Sequence, residues 1–296
     1  MRASVVICSY GRPEAAINLL HELTRQSYED FETLLVCQGD KKDFEKIKTF
    51  VTDRYSLRCY YLPDPNLPHA RNIGIKEASG EIVLFLDDDI KPAITLIEAH
   101  LANYKDASVA MVGGRILGEP WTEEVADSKI GMVRRFDGYA HMGFHKNIRR
   151  SVMHVKATNM SVRREIALEI DGFDERFEGT AEHEELDFCL RVLDKGHRII
   201  FDPDAVIEHF VISTGGCRVK TKEESIYWLY RNHSLVFLNN LNKLFYPVLI
   251  IEYLIRIIRR SIIWRNPKVI ISAWRGIRDG WKAHVMQASR KNIITG

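Results

Sequence analysis

Cysteine is scarce in this sequence, and the few cysteines form no recognisable motif. The 296 residues include five cysteines, and no two of them are spaced as Cys-x-x-Cys. An odd number without that spacing argues against a zinc ribbon and against a complete set of intramolecular disulfides. The pattern therefore favours a reducing, cytoplasmic compartment over an oxidising one.

Long hydrophobic runs and low-complexity segments are also lacking. The short apolar run at the N-terminus is interrupted by Tyr10 and Gly11, so we expect no signal peptide. Residues 244–264 are strongly apolar, but the run before Arg256 is shorter than the about 20 residues that cross a bilayer. With 46% hydrophobic and 28% charged residues, the composition excludes a mainly disordered or collagen-like chain. The length allows one large domain, or one domain with a substantial appendage.

The formal net charge of +2 conceals an uneven distribution along the chain. Residues 241–296 contain eleven Lys or Arg and two acidic residues, a net charge of +9, whereas the preceding 240 residues contain 31 basic and 38 acidic residues, a net charge of −7. An acidic body with a basic C-terminal segment indicates that this segment meets something anionic. No nucleic-acid-binding module accompanies it, so we expect no nucleic-acid partner.

The first 120 residues alternate between apolar, strand-like runs and helix-like segments. A β-branched run at residues 3–8 predicts a strand buried on both faces, and Pro13 suits the first turn of the helix that follows. Further strands are predicted at residues 31–37, 57–62 and 81–86, with helical segments at 41–54 and 68–78 between them. This alternation predicts an α/β fold with right-handed crossovers and a mostly parallel, doubly wound central sheet.

The rest of the body is less regular. Residues 119–150 show neither period, and structureless segments of this length are uncommon without a role, so we interpret them as a functional loop. The segments that follow are predicted as helices at 163–170 and 184–195 and strands at 198–201 and 205–207. We expect a domain of residues 1–215 and a helical C-terminal region of residues 216–296.

Within the C-terminal region, residues 244–264 are typical of an interfacial helix. Arg256, Arg259 and Arg260 fall on one helical face, and isoleucine, leucine and tyrosine occupy the other. With tryptophans beyond it and a basic net charge, such a helix lies in a membrane surface and attracts anionic lipid. The alternative is a helix packed on the body, with its arginines paired to acidic side chains. We favour the first and predict a C-terminal α-helical membrane-associating extension.

Three adjacent carboxylates, Asp87, Asp88 and Asp89, follow the fourth predicted strand. Like charges at the end of a buried strand repel each other, and a divalent cation compensates them; hard carboxylate oxygens suit Mg²⁺ or Mn²⁺. The carboxyl ends of parallel strands are also where open α/β sheets bind ligands. A solvated Asp-rich turn is the alternative, but so apolar a strand favours a metal site.

A second acidic cluster lies at the start of the helix predicted at 184–195, and it includes Glu184, Glu185 and Asp187. The helix macrodipole favours carboxylates in a first turn, which is a purely structural explanation. Clustered carboxylates that face a cleft would instead supply a general base, because burial and like charges raise the pKa of a carboxyl group. The residues alone do not decide between these two explanations. His209, after the last predicted strand, is by itself more often a structural histidine.

Six segments of the chain occur in an order that is more specific than any one of them. They are Val5-Val6-Ile7-Cys8-Ser9-Tyr10-Gly11-Arg12-Pro13, Ala70-Arg71-Asn72-Ile73-Gly74, Gly80-Glu81-Ile82-Val83-Leu84-Phe85-Leu86-Asp87-Asp88-Asp89, Ala157-Thr158-Asn159-Met160-Ser161, Gly172-Phe173-Asp174-Glu175 and Glu184-Glu185-Leu186-Asp187-Phe188-Cys189-Leu190-Arg191, with His209 after them. Together they resemble the family 2 glycosyltransferases of GT-A fold, over roughly residues 3–209.

The resemblance implies an inverting transfer of a sugar from a nucleotide-diphosphate donor to an acceptor hydroxyl. The donor contacts that it implies are Ser9, Tyr10 and Arg12 at the nucleotide base, Arg71 at the diphosphate, Asp87 at the ribose and Asp88 beside them. It implies Asp89 and His209 as ligands of a Mn²⁺ or Mg²⁺ ion that bridges the diphosphate, and Glu185 as the base that takes the acceptor proton. Thr158 and Asn159 then line the junction of the donor and acceptor sites.

Two positions depart from the family. Where its second strand usually ends in an aspartate that reads the base, this chain has Cys37-Gln38-Gly39-Asp40. Gln38 keeps a hydrogen-bonding contact to the base, but a preference for uridine does not follow. The catalytic base is a glutamate instead of the usual aspartate, and the neighbouring Glu184 could exchange roles with Glu185.

We therefore expect a metal-dependent, inverting glycosyltransferase that extends a glycan or lipid-linked acceptor in bacterial surface polysaccharide synthesis, with acceptor contacts from residues 119–150. Its expected location is the cytoplasmic, inner face of the cell membrane. One alternative, a nucleotidyltransferase, would need a Gly-rich phosphate loop after the first strand, and Gly11 alone does not provide one. Another is a non-catalytic GT-A-fold membrane scaffold or glycan-binding subunit, which the intact Asp89 and Glu185 argue against.

Overall fold

The computed structural model describes residues 1–121, 124–134, 136 and 138–294, and within them the side chains up to residue 286. The chain begins with four parallel strands in the order β3-β2-β1-β4, namely β1 (Ala3–Tyr10), β2 (Phe31–Gln38), β3 (Ser56–Leu62) and β4 (Ile82–Asp87). The connecting helices are α1 (Pro13–Leu23), α2 (Lys41–Ile47) and α3 (Leu67–Glu77). The alternation predicted for this part of the chain is confirmed.

Local sequence explains these first elements. Val5, Val6 and Ile7 of β1 are buried, as a parallel strand covered on both faces requires. Pro13 occupies the first turn of α1, where its missing amide hydrogen costs nothing. The side chain of Asn66 caps α3 by accepting a hydrogen bond from the His69 amide at 2.9 Å.

The second half of the sheet is mixed. It adds β5 (Ile90–Pro92), β6 (Val109–Leu117), β7 (Arg150–Val152), β8 (Asn159–Arg163) and β9 (Arg198–His209). The order is β3-β2-β1-β4-β8-β6-β9-β5, and β7 pairs with β9 outside this path. Because β8 runs antiparallel to β4 and β6, and β5 and β7 run antiparallel to β9, four of the eight pairings between described strands are antiparallel. The prediction of a mostly parallel sheet is therefore correct only for the first four strands.

Polar side chains inside β8 explain why no strand was predicted there. Asn159 and Ser161 are fully buried, and both bond to His100 of α4 (Leu96–Ala102). The His100 ring nitrogens lie 2.8 Å from Ser161 Oγ and 2.9 Å from Asn159 Oδ1. These bonds satisfy the polar groups, so the strand can lie in the centre of the sheet without an apolar sequence.

The predicted functional loop packs against the body, although it has little regular structure. Its one short helix in the described residues is a 3₁₀ turn at Asp127–Lys129. Val125, Ile130 and Phe144 are buried in the main hydrophobic core. Residues 122, 123, 135 and 137 of this segment lie outside the described residues.

Five further helices complete the fold: α5 (Arg164–Glu169), α6 (Glu184–Asp194), α7 (Lys222–Asn240), α8 (Tyr246–Ile263) and α9 (Lys268–Ile294). Leu235 of α7 joins Leu186 of α6 in one apolar cluster, and Asn240 donates a hydrogen bond to Asp187 at 2.7 Å. α9 lies close against α7, because a Cβ atom at Gly280 would be only 2.5 Å from the carbonyl oxygen of Arg231. The C-terminal helices are thus packed on the body.

α8 places its charges differently from the predicted interfacial helix. Its inner face buries Leu249, Tyr253 and Ile257. Arg256 and Arg260 lie beside that inner face, 5.8 Å and 5.9 Å from the rings of two tyrosines of the body. The opposite face carries apolar side chains that are 38–69% exposed: Ile251, Leu254, Ile255, Ile258 and Ile262.

The helix therefore has apolar side chains on both faces, and two of the three arginines predicted to share a separate face point towards the protein. This arrangement agrees with one part of the alternative prediction, namely that the helix packs on the rest of the protein. Among the described helices, none has the length and hydropathy required to span a membrane.

Candidate active site

A cavity of about 450 Å³ lies at the carboxyl ends of β1 and β4, where open α/β sheets bind ligands. The predicted site residues that line it are Tyr10, Arg12, Gln38, Arg71, Asp87, Asp89, Thr158, Glu184, Glu185 and His209. A larger cavity of about 950 Å³ lies beside α7 and α9, and its described lining includes none of the predicted site residues. The smaller cavity is therefore the candidate active site.

Asp87, Asp89 and His209 converge in this cavity. Pairing of β5 with β9 sets Ile90 opposite His209, which brings the histidine beside Asp89. His209 Nε2 lies 3.1 Å from Asp89 Oδ1, and one ligand atom from each of the three residues lies within 4.8 Å of the others. Two carboxylates and an imidazole are a donor set that suits Mn²⁺ or Mg²⁺, so these residues fit a divalent cation.

Arg12 compensates the negative charge of the aspartates. Its Nη1 donates to Asp89 Oδ2 at 2.6 Å, and its Nη2 lies 2.7 Å from Asp88 Oδ1. Burial raises the pKa of Asp88 to about 7, against the attraction of Arg12. Burial also opposes ionisation of Asp89, but His209 and Arg12 outweigh it and lower the pKa of Asp89 to about 2. The carboxylate that faces the cavity is thus the more strongly acidic of the two.

A buried ion pair joins Arg71 of α3 to Glu184 of α6. Arg71 also lies 3.6 Å from Asp87. Burial opposes the charge on Arg71, but the nearby carboxylates outweigh it and raise the pKa of the guanidinium. Burial likewise raises the pKa of Glu184, and Arg71 opposes that rise. Arg71 is therefore a fixed cation in the cavity wall.

Glu185 reaches the cavity from the first turn of α6. In the part of the chain that the structure describes, no other side chain bonds to its carboxylate, whereas Glu184 is paired with Arg71. Burial raises the pKa of Glu185 above the usual 4.5. Just before it, Ala181 and His183 have left-handed backbone conformations, with φ of 52° and 72°. Such strain at a cavity is typical of functional sites.

The other predicted contacts divide into cavity and interior positions. Gln38 lies in the cavity wall and accepts a hydrogen bond from the Asn66 amide at 2.9 Å. Thr158 donates to Asp87 at 2.8 Å. Ser9, Asp88 and Asn159 are buried and do not line the cavity.

Asn159 departs most from its expected role at the junction of the donor and acceptor sites. Its side-chain amide donates to the carbonyl oxygens of Arg115 and Ala205, at 3.2 Å and 2.9 Å, and its oxygen bonds to His100. Both the amide nitrogen and the amide oxygen of Asn159 are thus bonded inside the sheet. Direct acceptor contact by Asn159 is therefore not what the structure shows.

Sequence patterns did not identify two further charged residues, Glu119 and Lys156. Lys156 lines the cavity and donates to both oxygens of Glu119, at 2.7 Å and 2.9 Å. Glu119 in turn bonds to His209 Nδ1 at 2.8 Å. Burial opposes the charge on His209, but Asp89 and Glu119 raise its pKa to about 9. Glu119 lies in the segment without a pattern; for Lys156, the signal was its position directly before the Ala157-Thr158-Asn159 motif.

Comparison with known proteins identifies the family of this chain. Residues 4–170 match the family model described as Glycosyl transferase family 2. The chain is 24% identical over 220 residues to the Glucosyl-dolichyl phosphate glucuronosyltransferase of Haloferax volcanii, covering 71% of this chain and 69% of that protein. It is 26% identical over 245 residues to the Amylovoran biosynthesis glycosyltransferase AmsB of Erwinia amylovora, covering 76% of each.

Solved structures share the fold. The mannosyltransferase PcManGT of Pyrobaculum calidifontis, in complex with GDP-Man and Mn²⁺, is similar with a TM-score of 0.60 and 16% identity, over 99% of this chain and 80% of that one. TarS of S. aureus, in complex with UDP, is similar with a TM-score of 0.56 and 18% identity, over 81% of this chain and 66% of that one. Identities this low establish a GT-A-like α/β fold and no more. The predicted resemblance is confirmed by the family match: the chain belongs to glycosyl transferase family 2 and is a glycosyltransferase.

Proposed function

We propose that this glycosyltransferase is metal-dependent and inverting, and that it moves a sugar from a nucleotide-diphosphate donor to a hydroxyl of a glycan or lipid-linked acceptor. The observation that carries the proposal is one cavity that contains both the Asp87, Asp89 and His209 cluster and the carboxylate of Glu185. A donor diphosphate and an attacking hydroxyl need these two features side by side. The relative AmsB is named for the biosynthesis of amylovoran, which supports a role in polysaccharide synthesis.

The donor half of the cavity suits a nucleotide diphosphate. Asp89 and His209, with Asp87 beside them, would hold Mn²⁺ or Mg²⁺, which when bound stabilises the negative charge on the leaving diphosphate. Arg71 offers a guanidinium to the diphosphate oxygens. Tyr10 and Gln38, further along the same wall, contact the nucleotide base.

Asp87 and Asp88 have different tasks in this proposal. Thr158 fixes the Asp87 carboxylate at the ribose through its hydrogen bond. Asp88 does not face the donor; it holds Arg12 in place beside Asp89, and Ser9 lies buried next to them. Their contribution to donor binding is therefore to position groups that line the cavity.

The acceptor half centres on Glu185. As the acceptor oxygen forms a bond to the anomeric carbon, the bond from that carbon to the diphosphate oxygen breaks, and Glu185 takes the hydroxyl proton. Attack from the face opposite the leaving group inverts the anomeric configuration. A carboxylate whose pKa is raised by burial suits this task, because a base works best with a pKa nearer the operating pH. Glu184 forms an ion pair with Arg71 and holds that guanidinium in place.

The exposed face of α8 suits the inner surface of the cell membrane. Its five large apolar side chains lie opposite the packed face, and the segment from 241 onward has a net charge of +9, which attracts anionic lipid. The relative in Haloferax volcanii is named for a glucosyl-dolichyl phosphate acceptor, a lipid-linked sugar. A membrane-bound enzyme would meet such an acceptor at the surface on which it lies.

Donor binding can be tested by thermal unfolding with a panel of nucleotide-diphosphate sugars, with and without Mn²⁺. A ligand that binds only the folded state stabilises it by about 2.7 kcal/mol at 100 times its Kd. We expect donors of one nucleotide class to raise the melting temperature, to need Mn²⁺, and to lose the effect in Asp89→Asn. Asp53→Asn, which changes an exposed aspartate before the amino end of β3, whereas the cavity lies at the carboxyl ends of the strands, is the matched control. A wild-type protein that no donor stabilises would contradict the proposal.

A further inference from the structure

Glu119 lies behind His209, on the ring nitrogen opposite the one that faces Asp89. His209 Nδ1 is 2.8 Å from Glu119 Oε1, and His209 Nε2 is 3.1 Å from Asp89 Oδ1. The Glu119 side chain is 12% exposed, and its two oxygens also accept hydrogen bonds from Lys156. A nearly buried carboxylate thus bonds to one ring nitrogen of His209, a candidate metal ligand.

The backbone before Glu119 is adapted to this contact. Gly118 has a φ of +85°, which a residue with a side chain rarely adopts. A Cβ atom at Gly118 would lie 2.6 Å from the carbonyl oxygen of His209. The glycine therefore lets the chain turn tightly against His209 at the end of β6, and this turn delivers Glu119 to the histidine ring.

We propose that Glu119 is a positioning residue for the metal site. A histidine binds a metal through the ring nitrogen that carries no hydrogen, and a carboxylate on the other nitrogen selects the tautomer and fixes the ring. By accepting the hydrogen of Nδ1, Glu119 presents the Nε2 lone pair of His209 to the cation held with Asp89. This inference rests on the proposed metal site and deepens it. Removing such a partner typically costs about 10–100-fold in metal affinity.

Lys156 supplies the competing explanation, in which Glu119 serves only as the partner of this half-buried cation. The two explanations predict different responses. Lys156→Met removes the ion pair but leaves the bond between Glu119 and His209. Glu119→Ala removes both, whereas Glu119→Gln keeps an amide oxygen that can still accept from Nδ1.

The test uses Mn²⁺ alone, titrated against the full chain, with free Mn²⁺ measured by electron paramagnetic resonance. We expect Glu119→Ala to weaken Mn²⁺ binding about 10–100-fold and Glu119→Gln to weaken it less. Lys156→Met should weaken Mn²⁺ binding less than Glu119→Ala does, because the bond between Glu119 and His209 remains. Glu208→Ala and Glu208→Gln are the matched controls, because Glu208 is adjacent to His209 in the chain but exposed, and they should bind normally. Melting temperatures without metal show whether each variant is folded.

Each outcome decides the proposal. Unchanged Mn²⁺ affinity in a folded Glu119→Ala overturns the positioning role and leaves the metal site standing. If Glu119→Ala and Lys156→Met weaken Mn²⁺ binding equally, Glu119 serves the ion pair with Lys156, and the positioning role is again overturned. A wild type that binds neither Mn²⁺ nor any donor overturns the proposed function and this inference together. If Glu119→Ala does not fold, the comparison passes to Glu119→Gln, which must bind more weakly than Glu208→Gln.

Discussion

At the carboxyl ends of its strands the protein buries charges, whereas on α8 it exposes apolar side chains. Arg12 and Asp89 are nearly inaccessible to solvent and bonded to each other, while Ile255 and Ile262 are 57% and 69% exposed. Folding alone favours neither placement, since burial removes the hydration of a charge and exposure forgoes the gain of burying an isoleucine. Buried charges with shifted pKa values in a cavity indicate chemistry, and an exposed apolar face indicates a binding surface.

The two regions are nevertheless joined in the structure. The ring of His233 in α7 packs against that of His183, two residues before Glu185, with 4.8 Å between ring centroids. His233 also bonds to Tyr253 of α8 at 3.0 Å. The cavity and the exposed apolar face of α8 are thus parts of one packed body. If their tasks are distinct, substitutions should separate them without unfolding the protein.

Glu185→Gln should cause the largest effect. Loss of a general base lowers kcat about 10³-fold, while stabilisation by donor and Mn²⁺ remains. Because burial raises the pKa of Glu185 above 4.5, kcat of the wild type should fall with decreasing pH at a higher pH than an exposed glutamate would give. Steady-state kinetics across pH measure both effects. Glu165→Gln, at an exposed position of α5, is the control. A folded Glu184→Gln that loses turnover while Glu185→Gln keeps it would reverse the two roles.

Paired Ile251→Ser and Ile255→Ser should affect location and leave chemistry intact. Each isoleucine that enters a bilayer contributes about 1.5 kcal/mol, so the double variant should bind vesicles containing anionic lipid about 100-fold more weakly. Transfer to a water-soluble acceptor should be unchanged. Flotation with vesicles gives the partition coefficient, and Leu168→Ser, which removes an apolar side chain of α5 that is 45% exposed, is the control. If the double variant bound vesicles as tightly as the wild type, the exposed face of α8 would not be a membrane-binding surface.

The same contrast separates what the sequence could predict from what it could not. Strands β1 to β4 are mainly apolar, and the acidic triplet begins at the last residue of β4, so periodicity and motif order located the four parallel strands and the cavity at their carboxyl ends. β8 was missed because two of its buried residues, Asn159 and Ser161, are polar, and their bonds to His100 form only in the folded protein. Because β8 was not predicted, its antiparallel pairing with β4 and β6 and the burial of Asn159 within it were not predicted either.

Glu119 and α8 show a second reason why sequence did not predict some features: these features depend on contacts between distant parts of the chain. Glu119 bonds to His209, which is 90 residues away in the chain, and local sequence spacing does not predict such a contact. For α8, helical periodicity correctly predicted a helix, but it could not decide which of the two apolar faces packs on the rest of the protein. Tyr253 and Ile257 are buried, whereas Ile255 and Ile258 are exposed, although all four are large and mainly apolar.

Glu32 offers a test of buried charge away from the cavity, at the opposite end of the sheet. Burial alone would raise the pKa of Glu32, but hydrogen bonds from two serines and an arginine outweigh it and lower that pKa to about 2. Glu32→Gln should therefore lower the free energy of unfolding at pH 7 by about 2 kcal/mol. The contribution is complete above 4.5, the ordinary pKa of a glutamate, and is lost as pH falls towards about 2.

Urea denaturation of wild type and Glu32→Gln between pH 7 and pH 3 measures this difference. The two unfolding free energies should converge as the solution becomes acidic. Glu45→Gln, at an exposed glutamate of α2, should match the wild type at every pH. A gap that stays constant down to pH 3 would show that the carboxylate does not carry the stabilisation.

Tyr253→Phe should give the smallest effect, and it tests how firmly α8 is attached. The phenylalanine ring keeps the packing against α7 but removes the hydroxyl that bonds to His233 Nδ1 at 3.0 Å. A buried neutral hydrogen bond contributes about 1 kcal/mol, so the free energy of unfolding should fall by that amount if α8 unfolds together with the body. Tyr246→Phe, on the same helix and without a bonded hydroxyl in the described structure, is the matched control. Should both variants unfold like the wild type, α8 would detach before the cooperative transition, and it would be a separate unit of stability from the part of the protein that contains the cavity.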